Sequence, residues 1–147
     1  MDDLAGAPEY DVFVSYSHQD PDLTWVRQEL VPRLRAAGLR VCLDTDSFRL
    51  GAPIVMEMAR AVEGSRYTLA VLTPEYLESG FTELESVLAE HLGLEQRHQN
   101  LLIAMRRLAR PRLGIRARLW LDMINDAEIE TQIDRLVATI RASAGTG

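Results

Sequence analysis

The stretch SGFTELES, residues 79–86, sets two glutamates behind an aromatic residue at the start of a segment with helical spacing. A carboxylate there either lends negative charge to a reacting centre or offsets the positive end of a helix. With roughly 100° of rotation per residue, Glu85 projects about 40° from Phe81, and Glu83 about 200° round. Around Phe81 the apolar arc runs through Leu84, Val87, Leu88 and Leu92, with Glu85 at its edge; Glu83 and Glu90 face the opposite, solvated side. Glu85 is therefore expected to be partly buried, held by packing yet able to face a cleft. A boundary residue or helix-dipole partner fits the same position.

Other chemistries find little to work with. All 16 basic residues are Arg, so a Schiff base, a P-loop lysine and a lysine general base are excluded together. The first apolar run ends in SYSHQD, where a dinucleotide-binding fold would carry its glycine fingerprint and a phosphate-accepting regulator its acidic cluster. His18, His91 and His98 share no metal-ligand spacing, so no metal site is expected, and His91 falls on an apolar face. Ser15, His18 and Asp20 are close only in sequence, whereas hydrolytic triads are assembled in space. Cys42, the lone cysteine, sits in the apolar run LRVCLD and reads as a core residue.

A chain of 147 residues with 47% apolar content is expected to form one domain with a real core. Twenty-two acidic residues against those 16 arginines leave a net charge of −6, which argues against a nucleic-acid surface. The opening MDDLAGAPEY lacks the basic start and apolar stretch of a signal peptide, and no apolar run approaches the ~20 residues that span a bilayer. The expectation is a cytoplasmic domain without membrane or nucleic-acid partners. Residues 1–8 and 143–147 read as tails, the latter as the possible start of a linker, around a domain at 9–142.

The elements that must position Glu85 follow from hydrophobic patterning. Apolar runs at 10–16, 39–44, 67–73, 100–105 and 118–123 are continuous rather than alternating, as in strands covered on both faces. Between them lie four helical stripes. The first is Leu23, Val26, Leu30, Leu34 and Ala37, after an Asp20 cap and before a Gly38 stop, with Pro32 predicting a kink. The second is Ile54, Met58, Ala61 and Val62; the third Leu77, Phe81, Leu84, Leu88 and His91; the fourth Ile129, Ile133, Leu136, Val137 and Ile140. Strand and helix thus alternate throughout. This order predicts an α/β fold of flavodoxin-like type, an open sheet of five parallel strands with helices on both faces and a crevice at the strands' carboxyl ends. Arg106, Arg107, Arg110, Arg112 and Arg116 crowd the connection before the last strand, as a solvated face or a partner-binding patch.

Four segments, YDVFVSYSHQD, GLRVCLDTDSFRLGAPI, YTLAVLTPEYLESGFTELE and RLWLD, resemble in order and spacing the signature segments of Toll/interleukin receptor (TIR) domains of bacterial type. The resemblance covers residues 9–142 and implies one of two functions. One is an NAD glycohydrolase that cleaves the nicotinamide–ribose bond to give ADP-ribose or a cyclic form, switched on by self-assembly in bacterial defence or signalling, with a fused sensor or oligomerisation domain. The other is a non-enzymatic module that assembles with other TIR domains. NAD would be the substrate, with no further cofactor. The family's essential glutamate lies in a W-x-x-x-E pattern, which places Glu85 in the catalytic position and Phe81 where the tryptophan usually stands. One carboxylate suffices for this bond, because nicotinamide leaves neutral from a cationic ring and needs no acid; what remains is to support an oxocarbenium-like ribose. The resemblance further assigns residues 44–54 to the family's BB loop, which often packs on the next protomer. In that crevice Asp44, Phe48 and Arg49 are candidates to contact NAD, Arg49 by attracting its diphosphate. Tyr16 and Ser17 are candidates to line the same cleft.

Overall fold

The computed structural model describes residues 9–43, 49–78, 81, 84, 85, 87, 101–110 and 120–146. The five predicted strands are present as β1 (Tyr10–Ser15), β2 (Val41–Cys42), β3 (Ser65–Leu72), β4 (Leu101–Met105) and β5 (Leu121–Asp122). They form one parallel sheet in the order β2-β1-β3-β4-β5. The crossover after β1 runs to one side and the later ones to the other, so the crevice opens at the carboxyl ends of β1 and β3. This is the flavodoxin-like architecture that the patterning predicts. Strand bounds differ at the edges: β2 is two residues rather than six, and β3 starts at Ser65, two residues before the expected Tyr67.

Continuous apolar runs conceal a strict division of labour. Val12, Val14, Leu69, Val71 and Ala104 pack on the first face with the helices that follow β1 and β5; Phe13, Ala70, Leu72, Ile103 and Met105 pack on the second with the helices that follow β2 and β3. Alternation of side chains along each strand feeds both cores at once.

On the first face, α1 comprises Asp22–Trp25, a π-helical turn Val26–Leu30 and Val31–Ala36. Pro32 cannot donate to the carbonyl four residues back, and the wider turn just before it absorbs the defect. The predicted kink is therefore met by a local change of helix type. The N-cap is Pro21 rather than the expected Asp20, whose Oδ1, one residue outside, accepts from the Thr24 amide and hydroxyl at 3.0 and 2.5 Å. Gly38, at φ +93°, donates to Arg35 O, and Leu39 donates to Leu34 O, closing the helix in a Schellman motif that requires a left-handed residue.

α4 (Ile129–Thr146) follows a turn at Asp126–Glu128 and runs beyond residue 142. All five residues of its predicted stripe are buried. Polar staples then tie it down: Arg33 to Glu130 at 2.6 Å, Arg66 to Ile140 O at 2.6 Å, and Arg141 to Ala37 O.

The second face holds α2 (Ile54–Glu63) and α3 (Pro74–Glu78), and residues 81, 84, 85 and 87 are also helical. Its first stripe needs correction, because Ile54 is exposed while Glu57 and Ala59 are buried. The stripe begins one turn late because a carboxylate, not an apolar side chain, fills the inner position of the first turn. Leu88, His91, His98, Arg112 and Arg116 lie outside the described residues. Among those described, no helix is long and apolar enough to cross a membrane.

Candidate functional site

Glu85 has an intermediate exposure, while Phe81, Leu84 and Val87 beside it are buried. Packing thus holds the backbone of this segment, and the carboxylate lies at the boundary, as the helical projection predicts. Phe81 is 3% exposed and meets the Tyr76 ring at 5.7 Å between centroids. In this arrangement the ring is spent on the core, and a contact with NAD would need a rearrangement. Glu83, Glu90, Asp44 and Phe48 lie outside the described residues.

Alternation separates the residues that end β1. Tyr16 is buried in the first-face core beside Trp25, its hydroxyl accepting from Arg27 Nε at 2.8 Å and its ring meeting His18 edge-on at 4.8 Å. Phe81 and Leu84 belong to the other face. Tyr16 therefore does not share a wall with them. Ser17 is buried and its Oγ accepts from the Gln19 amide in a local turn. Ser15 is the residue that faces the Glu85 side: Tyr76 Oη donates to its Oγ at 2.7 Å. Strict period-2 counting from Phe13 would have selected Ser15.

Arg49 takes a different role from the expected one. Its backbone amide, Nε and Nη2 all donate to Glu57, at 2.9, 3.1 and 2.7 Å, and Arg60 Nη2 adds a bond of 2.7 Å. Glu57's side chain is 1% exposed. Bonds from Arg49 first, then Arg60, hold its carboxyl down at about 2. Nε and Nη2 of Arg49 are thus committed to a buried charge, while the side chain as a whole stays 67% exposed. Arg49 is a brace for the turn Arg49–Pro53, in which Gly51 adopts φ +83°. This turn and the first turn of the helix after it present Leu50, Ile54, Val55 and Met56 to solvent, four of the seven large apolar side chains exposed among the described residues.

A second polar cluster, which sequence reasoning missed, lies at the carboxyl ends of β3 and β4. Asp22, 2% exposed, accepts from Thr73 Oγ1 at 2.7 Å and from Arg107 Nε and Nη2 at 3.0–3.2 Å. Arg107 Nη2 also reaches Glu75 at 2.6 Å, which lowers the Glu75 carboxyl's pKa, while Asp22 first and Glu75 after it raise that of the guanidinium. Arg106 lies over the Trp25 ring at 4.4 Å and bonds Met123 O and Asp126. Two arginines of the supposed basic patch are therefore structural. Among the described residues no group of three metal-ligating side chains converges.

A parallel five-stranded sheet with its crevice at the carboxyl edge and an apolar turn after β2 define a class of flavodoxin-like domain. The chain belongs to the TIR domain family, whose model matches residues 12–137. It is 29% identical over 105 residues to Toll-like receptor 6 of Bos taurus, covering 71% of this chain and 13% of the receptor. It is 35% identical over 97 residues to Toll-like receptor 13 of Mus musculus, covering 64% and 10%. The chain thus spans only a small part of the length of these relatives. Among solved structures, the TIR domain of the Toll-related receptor TRR-2 from Hydra magnipapillata gives a TM-score of 0.75 at 20% identity, covering 90% of this chain and 98% of that one. A metazoan TIR-STING receptor from C. gigas gives 0.68 at 17% identity, covering 89% and 40%. At such identities these likenesses speak for the fold alone.

Proposed function

We propose that this TIR domain is an NAD glycohydrolase in which Glu85 supports the oxocarbenium-like ribose as nicotinamide leaves. The observation that carries the reading is the placement of Glu85: a carboxylate of intermediate exposure on a segment whose neighbours Phe81, Leu84 and Val87 are buried. A group held so firmly, yet reachable, offers preorganised charge at the moment of bond cleavage. The product is ADP-ribose or its cyclic form. Assembly with further copies, in a cytoplasmic defence or signalling protein, is part of the same proposal.

The test is incubation of the concentrated domain with NAD while nicotinamide release is followed. Slow turnover is expected, abolished by Glu85→Ala and retained by Glu83→Ala. Equal loss in both variants, with folding intact, would remove Glu85 from the role. The second reading, an assembly module without turnover, draws support from the buried Phe81 in place of a tryptophan and from the apolar turn at 50–56. Absence of nicotinamide release at concentrations where the domain self-associates would favour that module.

A further inference from the structure

Burial of Phe81, Leu84 and Val87 holds the Glu85 segment against the sheet, but apolar contact alone fixes direction poorly. Direction needs polar ties. The helical turn that precedes the segment has three of them. Arg107 Nη2 donates to Glu75 at 2.6 Å, the Tyr76 amide donates to Thr73 Oγ1 at 3.2 Å, and Tyr76 Oη donates to Ser15 Oγ at 2.7 Å. Behind all three stands Asp22, whose buried carboxylate takes both Thr73 and Arg107. From Tyr76 the chain of contact continues to Phe81, four residues before Glu85. The ends of β1, β3 and β4 are thereby joined at one point.

We propose that Arg107, seated on buried Asp22 and gripping Glu75, acts with the Tyr76–Ser15 hydrogen bond to position the segment that carries Glu85. The inference rests on the reading of Glu85 as the catalytic carboxylate and deepens it. Arg107, Glu75 and Tyr76 are positioning residues. They act through Glu85 and have no step of their own in the reaction. A displacement of about 1 Å at a reacting group costs on the order of a hundredfold in rate, so a modest tether has a large effect on turnover. The Glu75 end of the tether is half exposed and contributes little to stability, because solvent screens it. Position and folding are therefore separable in experiment.

Glu75→Gln keeps the side chain's shape and leaves Arg107 on Asp22, while Tyr76→Phe removes a single hydroxyl. For each variant, melting temperature, amide hydrogen exchange across residues 81–87 and steady-state nicotinamide release are measured on the whole chain. The expected result is a melting temperature within about 2 °C of the parent for Glu75→Gln and about 2–5 °C lower for Tyr76→Phe, which deletes a buried hydrogen bond, with exchange at 81–87 about tenfold faster in both. kcat should fall about tenfold or more while KM for NAD stays within about twofold, since the loss is of transition-state support rather than binding. Glu75→Asp should recover part of kcat. Unaltered exchange at 81–87 overturns the proposal, and so does faster exchange with kcat unaltered. If the parent chain releases no nicotinamide, exchange alone decides. Unchanged protection then sinks the tether; faster exchange supports it as the anchor of this segment while the hydrolase reading falls.

Discussion

Among the described residues two carboxylates, Glu57 and Asp22, are almost wholly buried, and they are held in opposite ways. Glu57 is served from nearby, by Arg49 eight residues before it and Arg60 three residues after. Asp22 is served from afar, by Thr73 at a separation of 51 residues and Arg107 at 85. The near cluster shapes a turn and the surface it presents; the far cluster joins strand ends on which the candidate site is built. A buried carboxylate bonded to arginine, with a second arginine at Glu57 and a threonine hydroxyl at Asp22, serves local form in one place and global register in the other.

The largest expected effect tests the far cluster. Arg107→Ala leaves Asp22 buried with a hydroxyl as its remaining described partner, and should cost about 2–3 kcal/mol in urea unfolding. This is the low end for a buried charge deprived of its partner, because the guanidinium is 37% exposed and partly screened. Adding Asp22→Asn should return part of the loss, since a neutral amide needs no counter-charge. An Arg107→Ala chain as stable as the parent would show that the far cluster ties nothing together.

Next comes the near cluster, where the two arginines are expected to differ. Arg49 reaches Glu57 with two side-chain nitrogens from outside the helix, Arg60 with one from within it. Arg49→Ala should lower the melting temperature by about 3 °C or more, and Arg60→Ala by less. Equal losses would mean that carboxylate satisfaction, not the brace across the turn, is what matters.

pH sharpens the same contrast. Glu57 is held at about 2, against 4.5 for a free glutamate. Its contribution is whole above about pH 4.5 and is lost as pH falls through about 2, because the unfolded chain then binds the proton first. The gap in melting temperature between the parent and Glu57→Gln should be constant from pH 8 to 5 and narrow below 4.5. A gap that closes near neutrality would contradict the bonding seen here.

The smallest effect is expected at a third carboxylate, Asp11, shared by Arg40 and Arg66 at 3.0 and 3.1 Å. Arg40 is 55% exposed and Arg66 remains when it is removed, so Arg40→Ala should cost no more than about 0.5–1 kcal/mol in the same unfolding assay. A larger loss would place Asp11 with the two buried clusters.

What could be read in advance divides along the same line of near and far. Five apolar runs and four stripes sufficed for the sheet and its helices, because periodicity is a local property that burial then selects. Gly38 and Pro32 were legible for the same reason: each acts on its own neighbours. Glu85 was placed by helical projection together with family resemblance, and its half-buried setting agrees. Arg49 is exposed, as a loop arginine is expected to be, but its bonds to Glu57 were not legible, because only the fold reveals that a glutamate eight residues on points inward. Asp22 was invisible. A first-turn acid reads as a dipole partner, and nothing near it in the chain announces Arg107 or Thr73. Tyr16 and Ser17 read together as cleft residues because they follow β1, although alternation along the strand assigns Ser15 and Tyr16 to opposite faces.

The staples on α4 carry a consequence for the order in which the molecule assembles. Arg33–Glu130, Arg66–Ile140 and Arg141–Ala37 close spans of 97, 74 and 104 residues. Closing a long span costs chain entropy before any contact repays it. The last helix is thus expected to dock after the rate-limiting barrier. Substitutions at Ile133 or Leu136 should hasten unfolding far more than they slow refolding, and a chain whose terminal helix has not yet arrived would display the first-face core, bare, to its surroundings.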